Sequence, residues 1–280
     1  MNVQDDTSGG SYFHALLTPE PAGEMSFIGH SPPLNEPVVY GGQLMAQALG
    51  AAAATLDSKR PAHFLHCDFI APGDPTKELE FGVTRIRDGK STSHRAVEVS
   101  QDGRTIMLAT LSFQDVAAGY EHQAAVPAVP TPPALLENPD TEFSFADAEE
   151  EPFPFRMLTC PAAEGAPKAT SAIWAQAREK VPANVILQQQ LLAFLSDATI
   201  LQSAMLPHDL QWDEPGLVIA TMNHAIWFHR PLDMNDWLLM YSESPSTSAG
   251  RALSTANLFS RTGKLVATVA QEGILRTRPA

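Results

Sequence analysis

The chain is poor in cysteine, in positive charge and in long apolar runs, and each shortage closes off a class of protein. Two cysteines, Cys67 and Cys160, in 280 residues cannot build a disulfide framework. They fit a reducing compartment, where a lone thiol packs more often than it reacts. Lys and Arg number 18 against 32 Asp and Glu, a formal net charge of −14. That balance speaks against a general binder of nucleic acid or anionic membrane, so an anionic ligand would need a local basic patch. The longest nearly apolar run, Leu44 to Leu56, is broken by Gln47 and too short to cross a bilayer. The first ten residues are polar and acidic, which predicts no secretory signal. Arg278-Pro279-Ala280 is not a Ser-Lys-Leu type of address, and a cytoplasmic location is expected.

Three chemical signatures are missing as well. There is no Gly-x-Ser-x-Gly nucleophile elbow. The pairs His63/His66 and His224/His229 lie at odd spacings on expected strands, which sends their rings to opposite faces, so no metal site is expected. Gly263-Lys264 sits in a hairpin turn without the Gly-rich loop and helix of a phosphate site.

What is present is a hydrophobic content of 44%, enough for a real core, and an order of elements that occurs twice. The first copy reads as a helix over 42–56, a strand over 63–70 ending in Ala71-Pro72-Gly73-Asp74, then strands over 79–87, 93–99 and 105–114. Asp88-Gly89 and Asp102-Gly103 supply the hairpin turns. The second copy reads as a helix over 186–205 and strands over 217–229, 237–244, 252–260 and 264–276, with a turn at Thr262-Gly263. Pro72 matches Pro231 and Gly103 matches Gly263 at an offset of about 160 in both places, the pattern of an internal duplication. Between the copies, prolines and acidic residues crowd into stretches such as Val126-Pro-Ala-Val-Pro-Thr-Pro-Pro133 and Asp147-Ala-Glu-Glu-Glu-Pro152. This composition predicts irregular, extended backbone with one short strand around 153–157. The expected organisation is a first repeat over 1–117, a linker over 118–170 and a second repeat over 171–280. A long apolar helix followed by a meander is an α+β arrangement in which a curved antiparallel sheet wraps its helix.

Several segments carry a resemblance to a known family. They are Tyr40-Gly-Gly-Gln43, Ala46-Gln-Ala-Leu49, His66 to Pro75 and Arg87-Asp-Gly-Lys-Ser91 in the first half. In the second they are Leu195-Ser-Asp-Ala198, Ala220-Thr-Met-Asn-His224, Ile226-Trp-Phe-His-Arg-Pro231 and Val269-Ala-Gln-Glu-Gly273. As a set they resemble the acyl-CoA thioesterase II family of double-hotdog enzymes, along the whole chain except the linker. The resemblance implies two hotdog repeats with their sheets joined into one. It also implies hydrolysis of acyl-CoA without a cofactor, by a water that an Asp, a Thr and a Gln activate; these match Asp197, Thr221 and Gln271. The family pattern has Asp-His where this chain has Asn223-His224, which removes any accessory carboxylate there.

Those residue types suit the reaction. Thioester hydrolysis needs a proton acceptor for the attacking water, groups that aim it, and donors where oxyanion charge develops. A carboxylate can take the proton, while a hydroxyl and an amide fix the water's direction. Asp197 reads as mid-helix, with Phe194 and Leu201 placing it along an apolar face, where a carboxylate is costly without partners. By pattern alone it is equally a helix-edge Asp, Thr221 is an ordinary strand residue, and Gln271 is either a strand-end polar residue or part of a site. The first-copy counterparts fall near Gly50, Ala62 and Leu111, none of which can activate water. Gly41-Gly42-Gln43, at a helix start, is the candidate oxyanion donor, and equally a plain turn. Arg85, Arg87, Lys90, Arg95, Arg230 and Arg251 are candidates for the CoA phosphates, with Arg87, Lys90 and Arg95 first among them, although surface cations are the commoner case. Acyl-CoA is the expected partner, with no nucleic acid or membrane, in a homodimer or higher homo-oligomer. The rivals are a non-catalytic acyl-CoA binder and a hotdog enoyl-CoA hydratase. The hydratase needs an Asp and a His on one loop, and no His stands near Gly73-Asp74.

Overall fold

The computed structural model describes residues 16–31, 37–57, 60–137, 153–162, 165 and 167–278. The N-terminal ten residues and the acidic run at 147–152 read above lie outside the described residues.

Among the described residues, twelve strands form one antiparallel sheet. The first half gives β1 (Glu20–Pro21), β2 (Ser26–Gly29), helix α1 (Gly41–Ala54), β3 (Ala62–Phe69), β4 (Leu79–Asp88), β5 (Thr92–Gln101) and β6 (Arg104–Gln114). A short helix α2 (Pro132–Leu136) follows, then β7 (Phe155–Thr159), β8 (Thr170–Ala177) and helix α3 (Val185–Ser196). The chain ends with helix α4 (Gln202–Met205), β9 (Leu217–Phe228), β10 (Leu238–Ser248), β11 (Arg251–Ser260) and β12 (Leu265–Thr277). Outward from the centre, one side of the sheet runs β3, β6, β5, β4, β2, β1 and the other β9, β12, β11, β10, β8, β7.

The registers of the two sides agree residue by residue. Ala62 pairs with Phe113 and Leu65 with Leu111, while Thr221 pairs with Gly273 and His224 with Gln271. Those pairings place partners 159 residues apart between β3 and β9 and 160 between β6 and β12. A β-bulge sits at the same place in both ladders, at His63 and at Met222. At the seam β3 and β9 pair antiparallel, with Phe64 opposite Trp227, His66 opposite Ala225 and Asp68 opposite Asn223.

Both long helices lie against the sheet and against each other. In α1, ten residues from Gly42 to Ala52 are buried, which its small side chains allow. Gly42 is the contact point: a Cβ there would meet the Phe194 carbonyl oxygen of α3 at 2.4 Å. Buried glutamines are accepted because each is bonded, as Gln47 is to the carbonyls of Leu16 and His30 and Gln190 to those of Leu17 and Ala46. Asn184 caps α3, its side chain accepting from the amides of Ile186 and Leu187.

Two expectations change. The helix expected over 186–205 ends at Ser196, whose hydroxyl bonds back to the Ala193 carbonyl, and α4 is a separate short piece. The segment expected to be a linker with one short strand around 153–157 has that strand as β7, but it also supplies α2, and β7 pairs with β8, so the second side of the sheet begins before residue 171. It also covers the sheet: Trp174 Nε1 donates to the Pro130 carbonyl, and Leu135, Leu158, Trp174, Phe259 and Leu265 form a second small core. The β10–β11 hairpin turns at Ala249-Gly250, where both residues take positive φ, 51° and 73°, as Asp102-Gly103 do in the β5–β6 turn.

Candidate active site

Asp197 stands at the C-cap of α3, not mid-helix. The chain turns away at Ala198, so Leu201 does not continue the helical face on which Asp197 was placed. The carboxylate therefore projects past the helix end toward β9 and β12.

The structure brings Asp197, Thr221 and Gln271 into one hydrogen-bonded chain. Thr221 Oγ1 donates to Asp197 Oδ1 at 3.1 Å, and Gln271 Nε2 donates to Thr221 Oγ1 at 2.8 Å. Asp197 and Thr221 are half-buried, whereas Gln271 is buried. The group therefore reaches solvent through its acid and its hydroxyl.

Behind these lie two residues that the sequence reading passed over. Gln271 Oε1 is 2.6 Å from His224 Nδ1, and His224 Nε2 is 2.9 Å from Ser196 Oγ. His224 is fully buried, and burial holds its ring below the ordinary histidine range, against the opposing pull of the Asp197 charge and the Gln271 bond. A neutral ring carries one proton, and the Gln271 carbonyl oxygen requires it on Nδ1. Nε2 is then an acceptor, and the Ser196 hydroxyl, 2.9 Å from both Nε2 and the Ala193 carbonyl, shares its one proton between them. This fixes the Gln271 amide with its NH2 toward Thr221. The signal for His224 was its place in the Asn223-His224 motif, weighed only as a metal ligand.

The start of α1 closes the other side. A Cβ on Gly41 would lie 2.7 Å from Asp197 Oδ2 and 3.1 Å from Phe69 Cζ. Oδ2, the oxygen not engaged by Thr221, therefore faces the first turn of α1, where the Gly41 and Gly42 amides have no acceptor within the helix. Gly41 and Gly42 lie where the sequence reading put an oxyanion donor. The Gln43 side chain is committed elsewhere: it is buried, and its Nε2 donates to the His30 carbonyl, Ser31 Oγ and Gln47 Oε1.

The basic candidates separate. Arg95 is withdrawn from phosphate contact because it is fully buried. It forms an ion pair with Asp88 at 2.9 Å and donates to Thr55 Oγ1 at 2.8 Å, which ties β5 to the end of α1. Arg87 and Lys90 are exposed, but they flank the β4–β5 turn, which Arg60 grips through the carbonyls of Gly89 and Lys90. That turn lies at the Ala62 end of β3, whereas Phe69, at the other end, meets the site. Eight strand residues separate the two ends, about 25 Å. Arg230 donates to the carbonyls of Leu265 and His122, and Arg251 pairs with Glu272 at 3.0 Å.

The cysteines are quiet. Burial pushes the Cys67 thiol well up, with Asp197 and Asp68 adding to it, and pushes Cys160 up to about 12. Among the described residues, no group of three or more His, Cys, Asp or Glu could hold a metal. No helix among them is long and apolar enough to cross a membrane. A cavity of about 830 Å³ lies away from the Asp197 cluster, beside Ala62 and the start of α3.

Residues 157–274 match a family model described as acyl-CoA thioesterase, and residues 30–114 one described as acyl-CoA thioesterase N-terminal domain. Acyl-CoA thioesterase 2 of Haemophilus influenzae is 34% identical over 273 residues, 93% of this chain and 96% of that protein. Acyl-coenzyme A thioesterase 8 of Mus musculus is 32% identical over 261 residues, 86% of this chain and 81% of that protein. The crystal structure of an acyl-CoA thioesterase II from Mycobacterium marinum superposes with a TM-score of 0.80 at 31% identity, over 96% of this chain and 98% of that one. A hot dog fold protein from Alicyclobacillus acidocaldarius gives 0.79 at 20% identity, over 97% and 100%, and shows the fold.

Proposed function

The chain belongs to the acyl-CoA thioesterase family, whose members are thioester hydrolases, and on that premise we propose that it cleaves acyl-CoA with a water activated by Asp197, Thr221 and Gln271. The observation that carries the assignment is the bonded chain from Asp197 through Thr221 to Gln271, drawn from a helix end and two strands.

Thr221 occupies Oδ1 of Asp197, which leaves Oδ2 to accept the water's proton. The water attacks the thioester carbon from that side, and charge develops on the carbonyl oxygen. Gly41 lies beside Oδ2, and the amides of Gly41 and Gly42, at the start of α1, are the donors assigned to that charge. Collapse of the tetrahedral adduct breaks the C–S bond. The CoA sulfur leaves and takes up the proton held by Asp197, and the carboxylic acid is released. No covalent enzyme intermediate forms.

The fold behind it, in this reading, is a double hotdog derived by duplication, with the boundary moved from residue 171 to before β7. The shared strand order, register offset and bulge positions support it. We place the protein in the cytoplasm as a homo-oligomer, with the partly exposed Phe64 and Trp227, whose rings meet at a tilt on the sheet seam, as a contact surface. Replacing Asp197 by Asn keeps the shape and removes the base. The expected result is a loss of free-thiol release of about a thousandfold, the scale of general-base catalysis, with the unfolding midpoint retained. Wild-type rates in that variant would overturn the mechanism. Water addition to crotonyl-CoA without thiol release would instead select the hydratase, and tight binding with no turnover the non-catalytic binder.

A further inference from the structure

The cavity beside Ala62 has no part in the mechanism above, and its position is informative. It is lined by Ala62 and Phe228, which by the register offset of 159 are the counterparts of Thr221 and Phe69 at the candidate active site. The start of α3, through Val185, Gln188 and Gln189, forms one wall, as the start of α1 does at Asp197. We propose that this cavity is a second, non-catalytic binding site for an aliphatic acyl chain. The proposal rests on the duplicated-fold reading given above.

Three features favour an acyl chain. The volume, about 830 Å³, falls in the range of small-molecule sites. Apolar surface comes from Val181, Val185, Phe228, Pro231 and Leu232. Most of the polar groups on the wall are already bonded inside the protein, the side chains of His63 and Gln114 being the exceptions. Gln189 spans the amide and carbonyl of Ala62 at 3.0 and 2.7 Å. Gln188 accepts from the Met234 amide and donates to the Pro182 carbonyl, and Asn235 does the same with both backbone groups of Val181. Asp115 is paired with Arg60, and Arg230 with two carbonyls. Such a wall has little to offer a sugar or a phosphate, but it suits methylene groups. A chain held there is not cleaved, because Ala62 and Leu111 stand where Thr221 and Gln271 would. Its source is either the free acid or the thioester, which share the same chain.

The test is calorimetric titration of the full chain with S-dodecyl-CoA, a thioether that cannot be hydrolysed, and separately with dodecanoate. The thioether is expected to bind in two steps per chain. Val185→Trp and Leu232→Trp, each narrowing the cavity, should weaken one step at least tenfold and leave the other. If dodecanoate competes with the weakened step, the occupant is the free acid; if only the thioether fills it, the occupant is the thioester. A dodecanoate carrying a terminal diazirine should photolabel residues 181–189 or 228–235, a readout independent of the variants' folding. A single step in the wild type, or two steps unaltered by both variants with label elsewhere, overturns the proposal. Thiol release from dodecanoyl-CoA by the wild type is measured alongside. Normal release with a single titration step sinks this inference alone, whereas absent release with two steps sinks the mechanism alone.

Discussion

The two helix ends make the sharpest contrast in the molecule. At the end of α1 stands Thr55, held by Arg95, a buried cation that donates to the Thr55 hydroxyl and carbonyl. A positive charge there complements the helix dipole and bonds otherwise orphaned acceptors. At the end of α3 stands Asp197, an anion in the position that the dipole disfavours. One end is built for stability and the other accepts an unfavourable charge, which is expected where a group serves chemistry. The strands repeat the lesson. Ala62 and Leu111 occupy the register positions of Thr221 and Gln271 and are apolar. The same frame therefore carries a reactive cluster on one side and an inert wall on the other, and four or five side chains make the difference.

The comparison is broken most directly by converting the reactive side into its counterpart. Thr221→Ala and Gln271→Leu put the first half's residues at these positions. Each is expected to lower kcat for thiol release by about a hundredfold, and the double variant by little more, because both act on one water. Gln271→Leu also leaves His224 Nδ1 without its acceptor, which costs about 1–3 kcal/mol of stability by denaturant titration. A multiplicative loss in the double variant would show that the two residues act separately.

Adjacent glycines sharpen the contrast at somewhat smaller effect. Gly41→Ala places a methyl 2.7 Å from Asp197 Oδ2, in the space assigned to the water. Turnover should fall some tens of fold, as misplaced reactants allow, with the unfolding midpoint nearly unchanged. Gly42→Ala drives a methyl to 2.4 Å from backbone at Phe194, which cannot yield as a flexible side chain can. That variant should lose about 1–3 kcal/mol of stability. Equal effects of the two on turnover and stability would dissolve the distinction between a site glycine and a packing glycine.

Much of this was legible in the sequence. Alternation and Asp-Gly turns located the meander strands within a few residues, and the Pro72/Pro231 offset anticipated a register that makes Ala62 and Leu111 the equivalents of Thr221 and Gln271. The helix break at Ser196 was not legible, because Ala198 and Leu201 continue an apolar pattern and the local back-bond of Ser196 leaves no trace in periodicity. Arg95 was misread for a related reason: a lone Arg in an alternating strand looks solvated, and only the fold brings Asp88 and Thr55 to its guanidinium. His224 carried a signal in its motif, but its role depends on a tautomer, and thus on Gln271 lying 47 residues away.

That tautomer supplies the smallest and most specific prediction. Burial holds the folded-state value of His224 below that of the unfolded chain, which is about 6.5. Its contribution to stability is therefore complete above about pH 6.5 and is lost as the pH falls through the folded value, because the unfolded ring takes the proton first. His224→Asn removes that titration while keeping a group able to donate to Gln271 Oε1. Its unfolding midpoint should fall less steeply than the wild type's on acidification below about pH 6.5, and kcat should drop about tenfold with KM unchanged, since a positioning residue acts in the transition state and not on substrate binding. A parallel pH profile would mean that the ring titrates freely. A change confined to KM would place His224 in the substrate pocket, contrary to its burial behind Gln271.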